Sequence, residues 1–560
     1  MNRRHFVRST GLSLGALLIG RKGRALPWER SERHGIKFPD EVSAISDVSS
    51  FPLQSNDGKT WTSRGTQIHL SDVRDAVAVD VHSQESDLRF IILTWKCPKS
   101  PSTACLGDQW ERSYGDLHWA PIAQKRILPW YFLEYDGMVT NGFGVKTGCR
   151  SMCFWQAGTD RLLLTIDVRS GGGAVRLGDR ILRAAEIVTR EGIEGESPFA
   201  SARAFCAVMC ESPRLPEMPV YGLNDWYFTY GNNSAELILE HADLLADLAP
   251  QSANTPFCVI DAGWAKKSSR RPEDPAWADD YQHSNAKFPD MASLAEQIRR
   301  RGMRPGIWVR PLCGGTEDDR KKLLPPIPGR EDPTSPVLDP TIPENIEKIR
   351  SYFTLYPQWG YDLIKHDYST WDVFGKWGFQ MVESRDVTTG HWRFNDSSLT
   401  NAEVILNLYR AIREAAGATI LIGCNTISHL SAGLFELQRI GDDTSGVEWE
   451  RTRKMGVNTL GFRIPQHRAF YAADPDCVGL TTKVPWEKNT QWMRLVAESG
   501  TPLFISAQKE AVGEEQRAAI RRCLKTASES NPAGEPLDWL DNQFPRTWRL
   551  LGREVQFDWF

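Results

Sequence analysis

The stretch YDLIKHDYST, Tyr361–Thr370, decides the fold. Tyr361, Leu363 and Ile364 read as a buried β-strand, and Lys365, His366 and Asp367 then stand in a row where that strand should end. Alternation along a strand sends Lys365 and Asp367 to the same side. An ammonium beside a carboxylate lowers the carboxylate's pKa and keeps it ionised. An ionised, oriented carboxylate is the state in which a side chain serves as a nucleophile.

The pattern of an apolar strand with a polar tip recurs on both sides of this stretch. YGLNDWYF, FCVIDAG, MRPGIWV, ATILIGC, ELQRIGD, DPDCVGL and TPLFIS are further strand candidates. Between them lie helical stripes: Met291, Leu294, Ala295 and Ile298; Ile346, Ile349, Phe353 and Tyr356; Val404, Leu408, Ile412 and Ala415. Eight strands, mostly alternating with helices, predict an α/β fold with a (β/α)8 TIM barrel over residues 219–506. A doubly wound sheet fits less well, because no Gly-rich phosphate loop follows the first strand.

Barrel sites form at the C-terminal ends of the strands. Here those ends carry Asn224, Asp225 and Trp226, Asp261 and Trp264, Trp308 and Arg310, and Lys365 and Asp367, followed by Cys424 and Asn425, Arg439 with Asp442 and Asp443, and Asp474 and Asp476. One such ending is ordinarily a helix cap or a solvated loop; so many on one rim point to a site. Sugar chemistry uses two carboxyl groups, one ionised and one protonated. Asp442 and Asp443 are the candidates for the second, since adjacent like charges raise one another's pKa. The competing role for one of them is to cap the helix expected near Val447.

The rest of the chain frames this segment. Short β-branched and aromatic runs such as AVAVDVHS, LRFIILTW and RLLLTIDVRS predict an N-terminal β-sandwich over residues 26–215. The Pro-rich Glu211–Pro219 reads as a linker. Residues 507–560 read as one helix followed by two or three strands, a small C-terminal β-rich segment. Residues 1–25 read as an export leader: Arg3-Arg4 and Phe6 precede a short apolar run, in the manner of a twin-arginine signal. A periplasmic or secreted protein follows. Without the leader the chain holds 61 basic and 71 acidic residues, a net charge of −10. There is no basic stripe to bind nucleic acid. No later apolar run is long enough to span a membrane. The 11 cysteines include the pairs Cys149/Cys153 and Cys206/Cys210, which fit either disulfides or buried thiols. Their spacing is not that of a zinc site, and no metal or organic cofactor is implied.

Together these residues resemble the α-galactosidase clan, glycoside hydrolase families 27 and 36 (clan D), including its raffinose-synthase-like branch. The resemblance covers about residues 219–506, roughly half of the chain. NDWYF looks like the clan's Asn-x-Trp, IDAGW like its Asp-Asp-x-Trp, and KFPDMASLAEQIRRRGMRPGIWVRP like its Gly-x-x-x-Gly-Ile-Trp segment. VLDPTIPENIEKI resembles the approach to the next strand, and DLIKHDYS resembles the nucleophile strand with its Lys-x-Asp. DPDCVGL and SGTPLFIS are similar to the late strands.

The resemblance implies a retaining exo-α-glycosidase, best read as an α-galactosidase acting on an oligosaccharide or polysaccharide. Asp367 would be the nucleophile, and Asp443, four residues after Arg439, the acid/base, with Asp442 the runner-up. Lys365, Asp261, Trp308 and Arg439 would hold the sugar. The two catalytic carboxyl groups should stand about 5 to 5.5 Å apart. One departure bears on specificity: where the clan carries two adjacent Asp, this sequence has Asp261-Ala262. An α-N-acetylgalactosaminidase or a β-L-arabinopyranosidase is therefore an alternative. A transglycosylase with the same residues and an inactive carbohydrate-binding protein are the others. The segment GDDTSGVEWER is also longer than the family 36 form, and the C-terminal region is short.

Overall fold

The computed structural model describes residues 38–85, 87–267, 278, 280–315, 318, 320–330 and 336–560. The leader read in residues 1–25 lies outside them.

The centre of the fold is a parallel sheet of nine strands. They are β1 (Tyr221–Asn224), β2 (Phe257–Ile260), β3 (Arg304–Val309), β4 (Leu363–His366), β5 (Ile420–Gly423), β6 (Leu437–Arg439), β7 (Ala472–Asp474), β8 (Cys477–Leu480) and β9 (Leu503–Ala507). Their order across the sheet is β7-β6-β5-β4-β3-β2-β1-β9-β8. The two end strands, β7 and β8, are separated in sequence only by Pro475 and Asp476, so the sheet curls until its ends lie on consecutive pieces of chain. The single seventh strand expected from DPDCVGL is thus two. Proline cannot donate to a ladder, and Asp476 takes a positive φ of 78°. The break lets β7 pair with β6 while β8 pairs with β9.

Helices cover the outer face, as buried parallel strands require. Met291–Arg300, Pro343–Gln358 and Asn401–Ala416 bear the stripes read from the sequence. The Asn401–Ala416 helix starts on a capping box, Thr400 with Glu403. β1 approaches β2 very closely at Gly222, where φ is +148° and a Cβ would run into the Phe257 backbone.

Ahead of the parallel sheet lie two antiparallel sheets, of six and eight strands. Rings from both meet: Phe132 of the larger sheet packs edge-on against Trp155 of the smaller at 6.0 Å. One part of this region departs from the all-strand expectation. Pro198–Met209 is a helix, started by the Ser197 side chain and by proline at its first turn. After Glu514–Ala527, a helix, three short strands form an antiparallel sheet, Glu535–Pro536, Thr547–Leu550 and Arg553–Gln556. All 11 cysteines are free thiols, nine of them buried, so neither C-x3-C pair is a disulfide here.

Candidate active site

Side chains from several strand ends converge inside the curl. A small cavity there is lined by Asn224 of β1, Lys365 of β4, Arg439 of β6, and Asp474 and Asp476 around the β7–β8 break. Such convergence needs a curled sheet, because on a flat one these strand ends would be far apart.

Asp367 follows β4 directly. Its Oδ1 accepts the backbone N–H groups of Tyr368 (2.8 Å) and Asn425 (3.1 Å), and its Oδ2 accepts Trp308 Nε1 at 3.1 Å. Tyr368 can turn its N–H back onto the preceding carboxylate because it adopts the left-handed region, with φ of 67°. This is an uncommon conformation for a bulky residue and is held by its surroundings: Arg310, itself locked on Asp372, lies 4.4 Å from the Tyr368 ring centroid. Burial by itself would raise the Asp367 pKa, and Asp443 pushes the same way. The cations of Lys365 and Arg112, with the Trp308 hydrogen bond, outweigh both and hold it below the usual carboxylate value.

Lys365 points to the same side as Asp367, as strand alternation requires, and gives Nζ to Asp261 Oδ2 at 2.7 Å. That oxygen also accepts Asn224 Nδ2 at 2.8 Å. Burial disfavours the Lys365 ammonium, yet Asp261 above all holds its pKa well above the ordinary value. Behind Asp261 sits a second carboxylate, Asp225, a rim residue to which the sequence reading assigns no role. Asp225 Oδ1 accepts the Asp261 backbone N–H at 2.7 Å, and Oδ2 accepts Asn233 Nδ2 at 2.7 Å. Burial, and then the charge of Asp261, raise the Asp225 pKa to about 6. Ala262 is buried, and its carbonyl accepts Asn233 Nδ2 at 3.2 Å.

On the opposite side, Arg439 reaches Asp443 Oδ1 at 3.1 Å and Asp476 Oδ2 at 2.7 Å. Asp476 also receives the Tyr227 hydroxyl and the Thr444 N–H and hydroxyl. Asp442 has both oxygens on guanidinium groups: Oδ1 lies 3.1 Å from Arg112 and Oδ2 lies 2.7 Å from Arg451. Neither Asp caps a helix. The next one is Trp449–Thr452, its N-cap position is Glu448, and that start has no side-chain cap.

Three expected contact residues are turned elsewhere. Trp264 is fully buried and gives its indole N–H to the Trp308 carbonyl at 2.9 Å, within an aromatic cluster that includes Tyr281 and Tyr356. It supports Trp308 from behind instead of facing a ligand. Arg310 is spent on Asp372. The Asn425 side chain is spent on Glu111 and on the Trp371 N–H, so its link to the site is the backbone N–H on Asp367. Trp226 is half-buried beside Tyr230, with ring centroids 5.7 Å apart. Cys424 lies 3.8 Å from Arg439 Nη1 and 4.0 Å from Arg112 Nη1.

The sequence reading missed Glu111, Arg112 and Arg451, and it named Asp225 on the rim without a role. Arg451 sits inside a quoted motif and could have been weighed. Glu111 and Arg112 sit in an antiparallel region with no motif around them.

No protein-family model matches the chain, and no curated protein matches it in sequence. Solved structures do match. The α-galactosidase TtGalA of Thermus thermophilus, in complex with p-nitrophenyl α-D-galactopyranoside, superposes with a TM-score of 0.59 at 18% identity, over 88% of this chain and 96% of that one. The same protein has also been solved with stachyose. The family 36 α-galactosidase AgaA of Geobacillus stearothermophilus, in complex with 1-deoxygalactonojirimycin, superposes with a TM-score of 0.56 at 12% identity, over 84% of this chain and 68% of that one. These structures define a fold class, that of the family 36 α-galactosidases, and this chain has that fold.

Proposed function

We propose that the protein is a retaining exo-α-glycosidase of α-galactosidase type. The observation that carries this reading is the pairing of Asp367, hydrogen-bonded on both oxygens and held ionised among cations, with an arginine-bound second carboxylate, Asp443, beyond the end of β6. The fold is read as a (β/α)8 barrel, with β7 and β8 as halves of its seventh strand. A β-sandwich would precede the barrel and a small β-rich segment follow it. The likeness to enzymes solved with galactosides and stachyose supports an oligosaccharide substrate.

In this mechanism Asp367 attacks the anomeric carbon through Oδ2, which carries one donor where Oδ1 carries two. The bond to the leaving oxygen breaks as Asp443 gives that oxygen its proton. Asp443 then takes a proton from water, which displaces Asp367 and releases the sugar with net retention. Asp442 is less suited to the acid role, because protonation would cost it contacts with guanidinium groups on both oxygens. Asp261, Asn224 and Lys365 form a polar group fit for sugar hydroxyls. With Ala262 beside Asp261, one carboxylate serves where the clan has two. The leader read in residues 1–25 supports export.

The test is the Asp367→Asn variant. Turnover of nitrophenyl α-galactoside should fall below detection while the melting temperature is kept. A folded Asp367→Asn protein with wild-type turnover would end the assignment.

A further inference from the structure

Three consecutive residues of the antiparallel region, Glu111-Arg112-Ser113, bind three different points on the rim of the parallel sheet. Glu111 is buried and takes the Asn425 side-chain amide and the Gly378 N–H, the latter at 2.8 Å. Asn425 is the residue whose backbone N–H holds Asp367. Ser113 exchanges backbone hydrogen bonds with the strand end at β6: its N–H donates to Ile440 O, and its carbonyl accepts the Asp442 N–H, each at 2.9 Å. Between these anchors the Arg112 side chain, 3% exposed, enters the site. Nη2 lies 3.1 Å from Asp442 Oδ1, and Nη1 lies 3.6 Å from Asp443 Oδ1. The guanidinium lies 5.6 Å from the Trp377 ring centroid.

Consecutive carboxylates repel, and their Cα atoms are fixed about 3.8 Å apart. A planar fork can hold one with each arm in a fixed geometry; an ammonium is a compact point charge whose donors rotate and impose no such spacing. We infer that Arg112 is a positioning residue of the reaction, supplied from outside the parallel sheet, which holds Asp442 and Asp443 in register with Asp367. This rests on the reading of Asp367 and Asp443 as the reacting pair. The charge of Arg112 also acts on Asp367, helping Lys365 to keep it ionised. The antiparallel region is thereby part of the active site.

The role separates into charge and shape, which two substitutions distinguish. In Arg112→Gln both are lost. The acid limb of kcat/KM against pH, which reports ionisation of Asp367 in the free enzyme, moves to higher pH, and kcat falls on the order of 10²-fold. In Arg112→Lys the charge stays and the fork is lost, so the acid limb remains near that of the wild type while kcat still falls. Both are measured on nitrophenyl α-galactoside beside wild type and Asp367→Asn, with melting temperatures taken for each. If Arg112→Gln does not fold, Arg112→Lys decides through kcat. Wild-type kcat and an unmoved acid limb in the folded variants, with Asp367→Asn inactive, overturn the inference and leave the glycosidase reading standing. An inactive wild type, or an active Asp367→Asn, overturns both.

Discussion

Trp308 shows how one side chain links packing to chemistry. Its ring is 2% exposed, its carbonyl is braced by Trp264, and its indole N–H is spent on the carboxylate proposed to attack the sugar. A hydrogen bond to a charged group contributes about 1.5–3 kcal/mol. Trp308→Phe should therefore lower kcat/KM by roughly 10- to 100-fold, with the acid limb moving to higher pH because a donor to the ionised form is gone. An unchanged profile would show that this hydrogen bond does not set the state of Asp367. The two adjacent aspartates give a second prediction. Asp443→Asn should cost about 10² to 10⁴-fold on substrates with poor leaving groups. Its cost on kcat/KM should be far less for activated aryl glycosides, whose leaving group needs no proton in the first step. Asp442→Asn should show no such dependence on the leaving group. The opposite pattern would exchange their roles.

At the scale of elements, the strands that carry the site were legible because they combine apolar runs with polar tips. YDLIKHD, FCVIDAG and MRPGIWV announce β4, β2 and β3 with ends within three residues, and the stripes announce their helices. What escaped was long-range. Nothing local in GDQWERSYGD says that Glu111 and Arg112 meet residues more than 300 positions later. Nothing in IDAGW says that Trp264 turns inward. The division of the seventh strand was partly visible in Pro475, but the positive φ of Asp476 was not. Gly222 offers a test at this scale. Its φ of +148° and the nearness of the Phe257 backbone leave no room for a Cβ between β1 and β2. Gly222→Ala should sharply lower the melting temperature or the soluble yield. A variant as stable as the wild type would contradict the close approach.

Across the whole molecule, buried carboxyl groups tie stability to pH in two opposing ways. Burial raises Asp474 from the usual 3.8 to about 6, partly offset by Arg439, and Asp225 also rises to about 6. A carboxyl with a raised folded pKa makes the native state bind more protons than the unfolded chain. Its destabilisation is absent below pH 4 and complete above pH 6, so this contribution falls as pH rises through that window. Asp367, lowered in the folded state, works the other way: its contribution is present above its ordinary pKa and is lost as pH falls. Asp474→Asn keeps the acceptor used by the Asp476 N–H and removes the charge. Its melting temperature relative to wild type should therefore climb between pH 4 and pH 6. A constant difference across that range would show that Asp474 is not perturbed.

The measurement that bears most directly on the central claim is release of nitrophenol from a panel of α- and β-glycosides by the purified protein and by Asp367→Asn. The panel includes α-galactoside, N-acetyl-α-galactosaminide and β-L-arabinopyranoside. The account predicts release from α-galactoside above the others, abolished in the variant. Release from none of the panel, or equal release by a folded Asp367→Asn protein, would contradict it.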